Sequence, residues 1–162
     1  MTVTDVRKDI DALTLSITST FDAPVKRVWQ VWEDPRQLER WWGPPTYPAT
    51  VVDHDLSAGG AVNYYMTGPE GDRHHGWWTI RSVESPNSLE FEDGFADEEG
   101  VPNAELPTTV IRVELRATGD ERTEMVVIST FPSAETMEQL IAMGMLEGII
   151  AAAGQIPLVL AG

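Results

Sequence analysis

The stretch "FDAPVKRVWQVWEDPRQLERWWGPP", residues 21 to 45, decides the fold. Val25, Val28, Trp29 and Trp32 recur at helical spacing. Asp22 is a candidate cap ahead of them, and Pro24 suits a first helical turn. Pro35 stops this helix, and "PRQLERWW" forms a second short one that Gly43-Pro44-Pro45 ends. Trp41 and Trp42 are adjacent, so they cannot share a helix face. One of the two, by this reasoning, anchors the helix in the core. The other, assigned here as Trp42, borders a cavity mouth.

On the N-terminal side, "LTLSITSTF" (13–21) alternates Leu13, Leu15, Ile17 and Phe21 with Thr14, Ser16, Thr18 and Thr20, which reads as a half-buried strand. Residues 1–10 read as a loose, charged start. On the C-terminal side, strand-like segments follow at about 49–56, 60–67, 75–83, 88–92, 108–118 and 124–131. The stretches "SAGG", "GPEGD", "ESPNS" and "TGDER" between them fit hairpin turns. The acidic, Pro/Gly-containing segment "DGFADEEGVPNAELP" (93–107) reads as a loop. Ser133 is placed to cap a long final helix with Glu135 in its first turn.

Strands run consecutively and helices are segregated, so the class is α+β. One domain over residues 1–162 is expected, with a curved antiparallel sheet of about seven strands wrapped around the long C-terminal helix. A helix cannot fill a strongly curved sheet, and the space left is the natural place for a small apolar ligand.

The motifs together resemble one family. The stretch at 21–44 is similar to the opening of the family named for the activator of the heat-shock-protein-90 ATPase, within the START and birch-pollen-allergen-like superfamily of helix-grip folds. "DLSAGG" (55–60) resembles its Asp-Leu-Arg-x-Gly-Gly turn, with Ser57 where Arg is usual. "MTGPEG" (66–71), "SPNSLEFED" (85–93) and "TMEQLIAMGMLEGIIAAAGQI" (136–156) resemble its next two hairpins and its last helix. The resemblance spans about residues 13–160. It implies the helix-grip fold; the superfamily includes lipid carriers, polyketide cyclases and ring-hydroxylase subunits, so it does not by itself imply a chemistry.

Composition narrows the function. The formal charge is −15, from 11 basic and 26 acidic residues, a field that repels nucleic acid and anionic membranes. There is no cysteine, which removes disulfides, thiolate nucleophiles and Cys zinc sites and fits a reducing, cytoplasmic setting. The first 16 residues lack the basic-then-apolar pattern of a secretory signal. No nucleophile elbow or phosphate-binding glycine loop is present. His54 beside Asp55 faces the other side of its strand, and His74-His75 lacks the spacing of a zinc motif and reads as a solvated turn. No metal or cofactor is expected. Glu147, the one charge in the second half of the last helix, reads as outward-facing.

Candidate ligand-binding residues are Trp42, Tyr64, Met66, Trp78, Phe91, Met145 and Ile149; Tyr64 and Trp78 carry polar handles able to orient a ligand. The expected function is binding of a small apolar or amphipathic molecule. The alternatives are an enzyme resembling polyketide cyclases and a chaperone-interaction module.

From Leu140 to Gly162 the only polar residues are Glu147 and Gln155, but the glycines, Pro157 and the lack of flanking Lys or Arg argue against a membrane span. Ile141, Gly144, Met145, Gly148, Ile149, Ala152 and Ile156 form the stripe expected to face the sheet. The opposite side, with Met143, Leu146, Ile150, Ala151 and Ala153, is apolar where the family is typically polar, and Pro157 stands where Asp is usual. An apolar outer face predicts a homodimer through Met143, Leu146 and Ile150.

Overall fold

The computed structural model describes residues 2–162. Its elements run β1 (Val3–Asp9), β2 (Thr14–Phe21), α1 (Val25–Glu33), α2 (Pro35–Leu38), β3 (Ala49–His54), β4 (Ala61–Thr67), β5 (Arg73–Glu84), β6 (Ser88–Ala96), β7 (Thr109–Gly119), β8 (Arg122–Thr130), α3 (Ala134–Ala142), α4 (Met145–Ala153) and α5 (Ile156–Ala161). The strands form one antiparallel sheet in the order β1-β2-β8-β7-β6-β5-β4-β3. This is the expected α+β helix-grip architecture, with the C-terminal helices packed on the sheet's inner face.

Three parts differ from the sequence reading. The first ten residues are not loose: β1 pairs with β2 and adds an eighth strand. Only Val3 of β1 is buried, so the strand has no alternating pattern to announce it. The C-terminal helix is not one rod. Gly144 adopts φ +95°, a left-handed conformation favoured by glycine, and separates α3 from α4. A second break at Gly154-Gln155, just ahead of Pro157, separates α4 from α5. Finally, β6 continues past Glu92 to Ala96, so Asp93 lies in the sheet and not in the acidic loop.

Capping explains the helix starts. Asp34 accepts from the Arg36 amide at 2.9 Å at the head of α2. Ser133 Oγ accepts from the Thr136 amide at 3.1 Å at the head of α3. Asp22 does not cap α1: that helix begins after Pro24 without a side-chain cap, and Asp22 instead pairs with Arg122 at 3.2 Å.

The main core gathers Val28, Trp32, Leu38, Trp78, Phe91 and Val113, each fully buried, beneath Ala152, Ile156 and Val159 of the C-terminal helices. The polar groups that lock α5 in place come from the N-terminal helices and their connection. Arg27 donates to the Val159 carbonyl at 2.8 Å, satisfying an end-of-helix acceptor, and Gln155 Nε2 donates to the Gly43 carbonyl at 2.7 Å. Residues 140–162 are therefore seated on the sheet in three pieces. No single helix among the described residues is long and apolar enough to cross a membrane.

Candidate functional site

Between the sheet and α3–α4 lies a cavity of about 370 Å³. Its walls come from every layer: Ile17 and Ser19 of β2, Trp32 of α1, Tyr64 and Met66 of β4, Ile111 of β7, Met125 and Val127 of β8, and Met145, Gly148 and Ile149 of α4. Glycine at 148 leaves the helix surface bare at that point, with no heavy atom near the position a Cβ would take. The exposed lining residues Phe95 and Met143 mark where the cavity meets solvent.

One end is aromatic. Trp32 lies edge-on to Trp41 with centroids 4.7 Å apart, and Trp42 lies edge-on to Trp78 at 4.8 Å. Beneath them Trp78 and Phe91 stack at 3.9 Å and 19°. Each such pair contributes about 0.5–1.5 kcal/mol beyond its buried area, so this end is rigid. The two members of "WW" divide as their adjacency requires. Trp41 is buried, and its indole N–H donates to the Val31 carbonyl at 2.9 Å, tying the end of the second helical segment to α1. Trp42 is half-buried, and its indole N–H has no hydrogen-bond partner. Both rings reach the cavity wall.

The same end carries the Tyr64 hydroxyl and the Asp93 carboxyl. Tyr64 on β4 donates its hydroxyl to Asp93 Oδ1 on β6 at 3.1 Å. These strands are not neighbours, because β5 runs between them. The contact exists because Gly76 of β5 is paired with Tyr64 and has no side chain. The Tyr64 ring lies across it, in the space a Cβ would occupy. Asp93 is paired with Trp78 on β5 and Thr109 on β7, in the middle of the sheet.

Burial sets the electrostatics. Asp93 is half-buried and borders the cavity. Desolvation pushes its pKa up to about 7, opposed by the hydrogen bond from Tyr64 and by the nearby indole N–H of Trp78. That indole, on the residue opposite Asp93 in β5, has no hydrogen-bond partner of its own. Burial, then the Asp93 charge, raises the Tyr64 phenol well above its ordinary value. Ser19 Oγ and the indole N–H groups of Trp32, Trp42 and Trp78 are all buried without a partner. Unpaired buried donors are costly, and three of these four residues line the cavity.

The candidates from the sequence fall into two groups. Trp42, Tyr64, Met66, Met145 and Ile149 line the cavity. Trp78 and Phe91 do not; fully buried, they form the floor on which the lining rings rest. Asp93 is absent from the sequence candidates, because it opens the acidic segment (93–107) that reads as a loop. The signal that finds it is the inward alternation Leu89, Phe91, Asp93. His74 and His75 are not in a turn: both lie on β5 and reach the cavity rim, His74 pairing with Asp72 at 2.5 Å. His54 bonds to the Trp32 carbonyl at 3.0 Å. Glu147 is exposed. Among the described residues no group of three metal-ligating side chains comes together.

Leu146 and Ile150 are not free surface. They are half-buried and pack against Val3, Ile17 and Ala153, since β1 extends the sheet beneath that side of α4. Ala153, expected outside, is buried, while Met143 is 68% exposed.

Comparison with known proteins places this architecture. A structure of a protein from Arthrobacter aurescens is 54% identical and superposes with a TM-score of 0.94, covering 99% of this chain and 92% of its own. Protein Ms6760 from Mycobacterium smegmatis is 49% identical, with a TM-score of 0.89 and coverage of 97% and 96%. The AHSA1 protein from Silicibacter pomeroyi shares the fold at 19% identity, with a TM-score of 0.72 and coverage of 91% and 97%. No functionally curated protein matches the chain. The family model described as activator of Hsp90 ATPase homolog 1-like protein matches residues 22–160, which include both short helices, the aromatic floor, Asp93 and the C-terminal helices. The chain belongs to the activator of Hsp90 ATPase homolog 1-like family.

Proposed function

We propose that this protein binds a small apolar or amphipathic molecule in the cavity between the sheet and the C-terminal helices, in the cytoplasm. The observation that carries this reading is the cavity itself: about 370 Å³, walled mainly by aliphatic and aromatic side chains, with Tyr64 and Asp93 together among its few polar groups. That volume lies within the range of small-ligand sites, and apolar walls with a small number of placed polar groups are their usual chemistry. The ligand contacts in this reading are Trp42, Tyr64, Met66, Met145 and Ile149, with Trp78 and Phe91 supporting them from below. The test is a thermal-shift screen against apolar and amphipathic compounds. A ligand at 100 times its Kd raises stability by about 2.7 kcal/mol. A broad library that never raises the melting temperature overturns the reading.

One observation favours a second reading, an acid–base enzyme similar to polyketide cyclases. A carboxyl that titrates near neutrality inside an apolar cavity is able to take and return a proton at physiological pH. Tyr64 would hold it in position. The test is deuterium exchange at the carbon beside the carbonyl of a bound aryl ketone, followed by NMR. Exchange by the wild type and none by Asp93→Asn supports the enzyme; equal, uncatalysed rates in both overturn it.

A further inference from the structure

We propose that the polar end of the cavity selects an organic cation: a small apolar molecule carrying one protonated amine, whose ammonium sits against the Asp93 carboxylate and the surrounding aromatic rings. This rests on the ligand-binding reading above and names the chemistry of the ligand.

Among the described residues Asp93 is the one carboxyl lining the cavity, and no Lys or Arg lines it. The groups facing Asp93 can be named element by element. From β4 comes the Tyr64 hydroxyl, and from β5 the Trp78 indole, with His74 and His75 farther out at the rim. From β7 comes Thr109. The lining residues of α3 and α4 are uncharged: Leu140, Gly148, Ala152, Met145 and their neighbours. Asp93 thus has donors that orient it but no charge that neutralises it.

The donors are arranged for the anion. Tyr64 O–H bonds one carboxylate oxygen, and Trp78, opposite Asp93 on β5, carries a buried indole N–H with no partner. A neutral carboxylic acid has less use for donors, so the setting is prepared for an ionised Asp93 whose counter-charge arrives with the ligand. Burial without that counter-charge is what holds the pKa near 7. A bound ammonium would bring it down, and binding and ionisation are linked.

Other ligand chemistries gain less here. A carboxylate would meet Asp93 with like charge. An alcohol would gain a hydrogen bond but no charge interaction. An ammonium gains both, and Trp42, Tyr64 and Trp32 at the same end offer aromatic surface that attracts cations. The chain's formal charge of −15 also raises the local concentration of cations and lowers that of anions.

The experiment compares three probes of one skeleton on the intact chain: 2-naphthylethylamine, 2-naphthylethanol and 2-naphthylacetate. Binding is read by calorimetry at about pH 8 and about pH 6, which bracket the Asp93 titration. The amine stays protonated at both. The expected result at the higher pH is an amine bound about tenfold more tightly than the alcohol, with the acetate weakest. At the lower pH the amine's advantage over the alcohol shrinks several-fold. Asp93→Asn removes the amine's advantage over the alcohol. A double His74→Gln, His75→Gln variant keeps the pH dependence if Asp93 is its source and loses it if the rim histidines are. The wild-type pH comparison stands even where Asp93→Asn fails to fold. Equal binding of amine and alcohol by the wild type at both pH values overturns the cation inference and leaves the cavity a ligand site. Binding of none of the three overturns the inference and counts against the ligand-binding reading itself.

Discussion

Tyr64 and Asp93 meet across an intervening strand: a hydroxyl on β4 donates to a carboxylate on β6 at 3.1 Å, passing over Gly76 of β5. Few contacts in the sheet depend so directly on one missing side chain. The hydrogen bond holds the cavity's carboxyl in place and partly offsets the rise in its pKa that burial causes.

A first prediction concerns pH. Asp93 has a folded pKa of about 7, raised from 3.8. Between those values the folded chain binds more protons than the unfolded one. Its contribution to stability is therefore complete below the unfolded pKa and declines as pH rises through about 7, with a slope of at most about 1.4 kcal/mol per pH unit. Asp34 and Asp72, both held below the usual carboxylate value by hydrogen bonds, act in the opposite sense at acid pH. The clean measurement is the difference between wild type and Asp93→Asn in urea melts from about pH 4 to pH 8. The variant should gain on the wild type as pH rises, and a constant difference would refute the assignment.

Gly76→Ala tests the crossing. The added methyl falls on the Tyr64 ring, so the ring must move or the sheet must give. Overpacking of this kind costs about 1–3 kcal/mol. Chemical denaturation should show the loss, and the variant's Asp93 should titrate differently by NMR. Wild-type stability and an unchanged titration would show that the ring adapts freely.

The paired tryptophans should separate by substitution. Trp41→Phe removes the donor to the Val31 carbonyl and part of a buried ring, and should cost about 2–4 kcal/mol. Trp42→Phe removes an indole N–H that has no partner, so its effect on stability should be smaller, within about 1.5 kcal/mol. Ligand affinity should respond in the reverse order, with Trp42→Phe the more damaging. Equal effects of both on stability and binding would contradict the division of labour.

Self-association is expected through the uncovered part of the C-terminal helices. Met143 projects into solvent, and Leu146 and Ile150 are only half covered by β1. The charge of −15 per chain opposes association, and salt screens that repulsion. Light scattering after size exclusion should report a dimer, more so at higher salt, and Met143→Glu should shift it to monomer. A wild-type monomer at high micromolar concentration overturns the expectation.

What is legible in the sequence follows physical signal strength. β2 alternates buried and half-buried residues without a lapse, and the helical spacing of Val28, Trp29 and Trp32 is unbroken; both stand out in the residue pattern alone. β1 has one buried residue in seven and no period to detect. Its strand conformation comes from pairing with β2. Gly144 reads as a small residue for close packing, yet its role is a left-handed break, a property of backbone angle that composition does not reveal. The cavity is readable as a class of site from the fold. Its acid is not, because Asp93 opens the acidic, Pro/Gly-containing segment that reads as a loop, while its inward orientation is decided by register with β5 and β7.

The pairing of β2 with β8 bears on how the chain comes to be folded at all. Thr14 sits opposite Thr130 and Phe21 opposite Thr123, so the partners of the first long strand lie more than a hundred residues away. During synthesis β2 emerges early with β1 on one edge, and its other edge has no mate until β8 leaves the ribosome. Until then, the apolar face it shares with the cavity stays open to other chains. Pairings this remote in sequence carry a large loop-closure cost and place the domain among folders on the millisecond-to-second scale. The helices that close the cavity follow all eight strands in sequence, so the cavity is completed only after the sheet has been made.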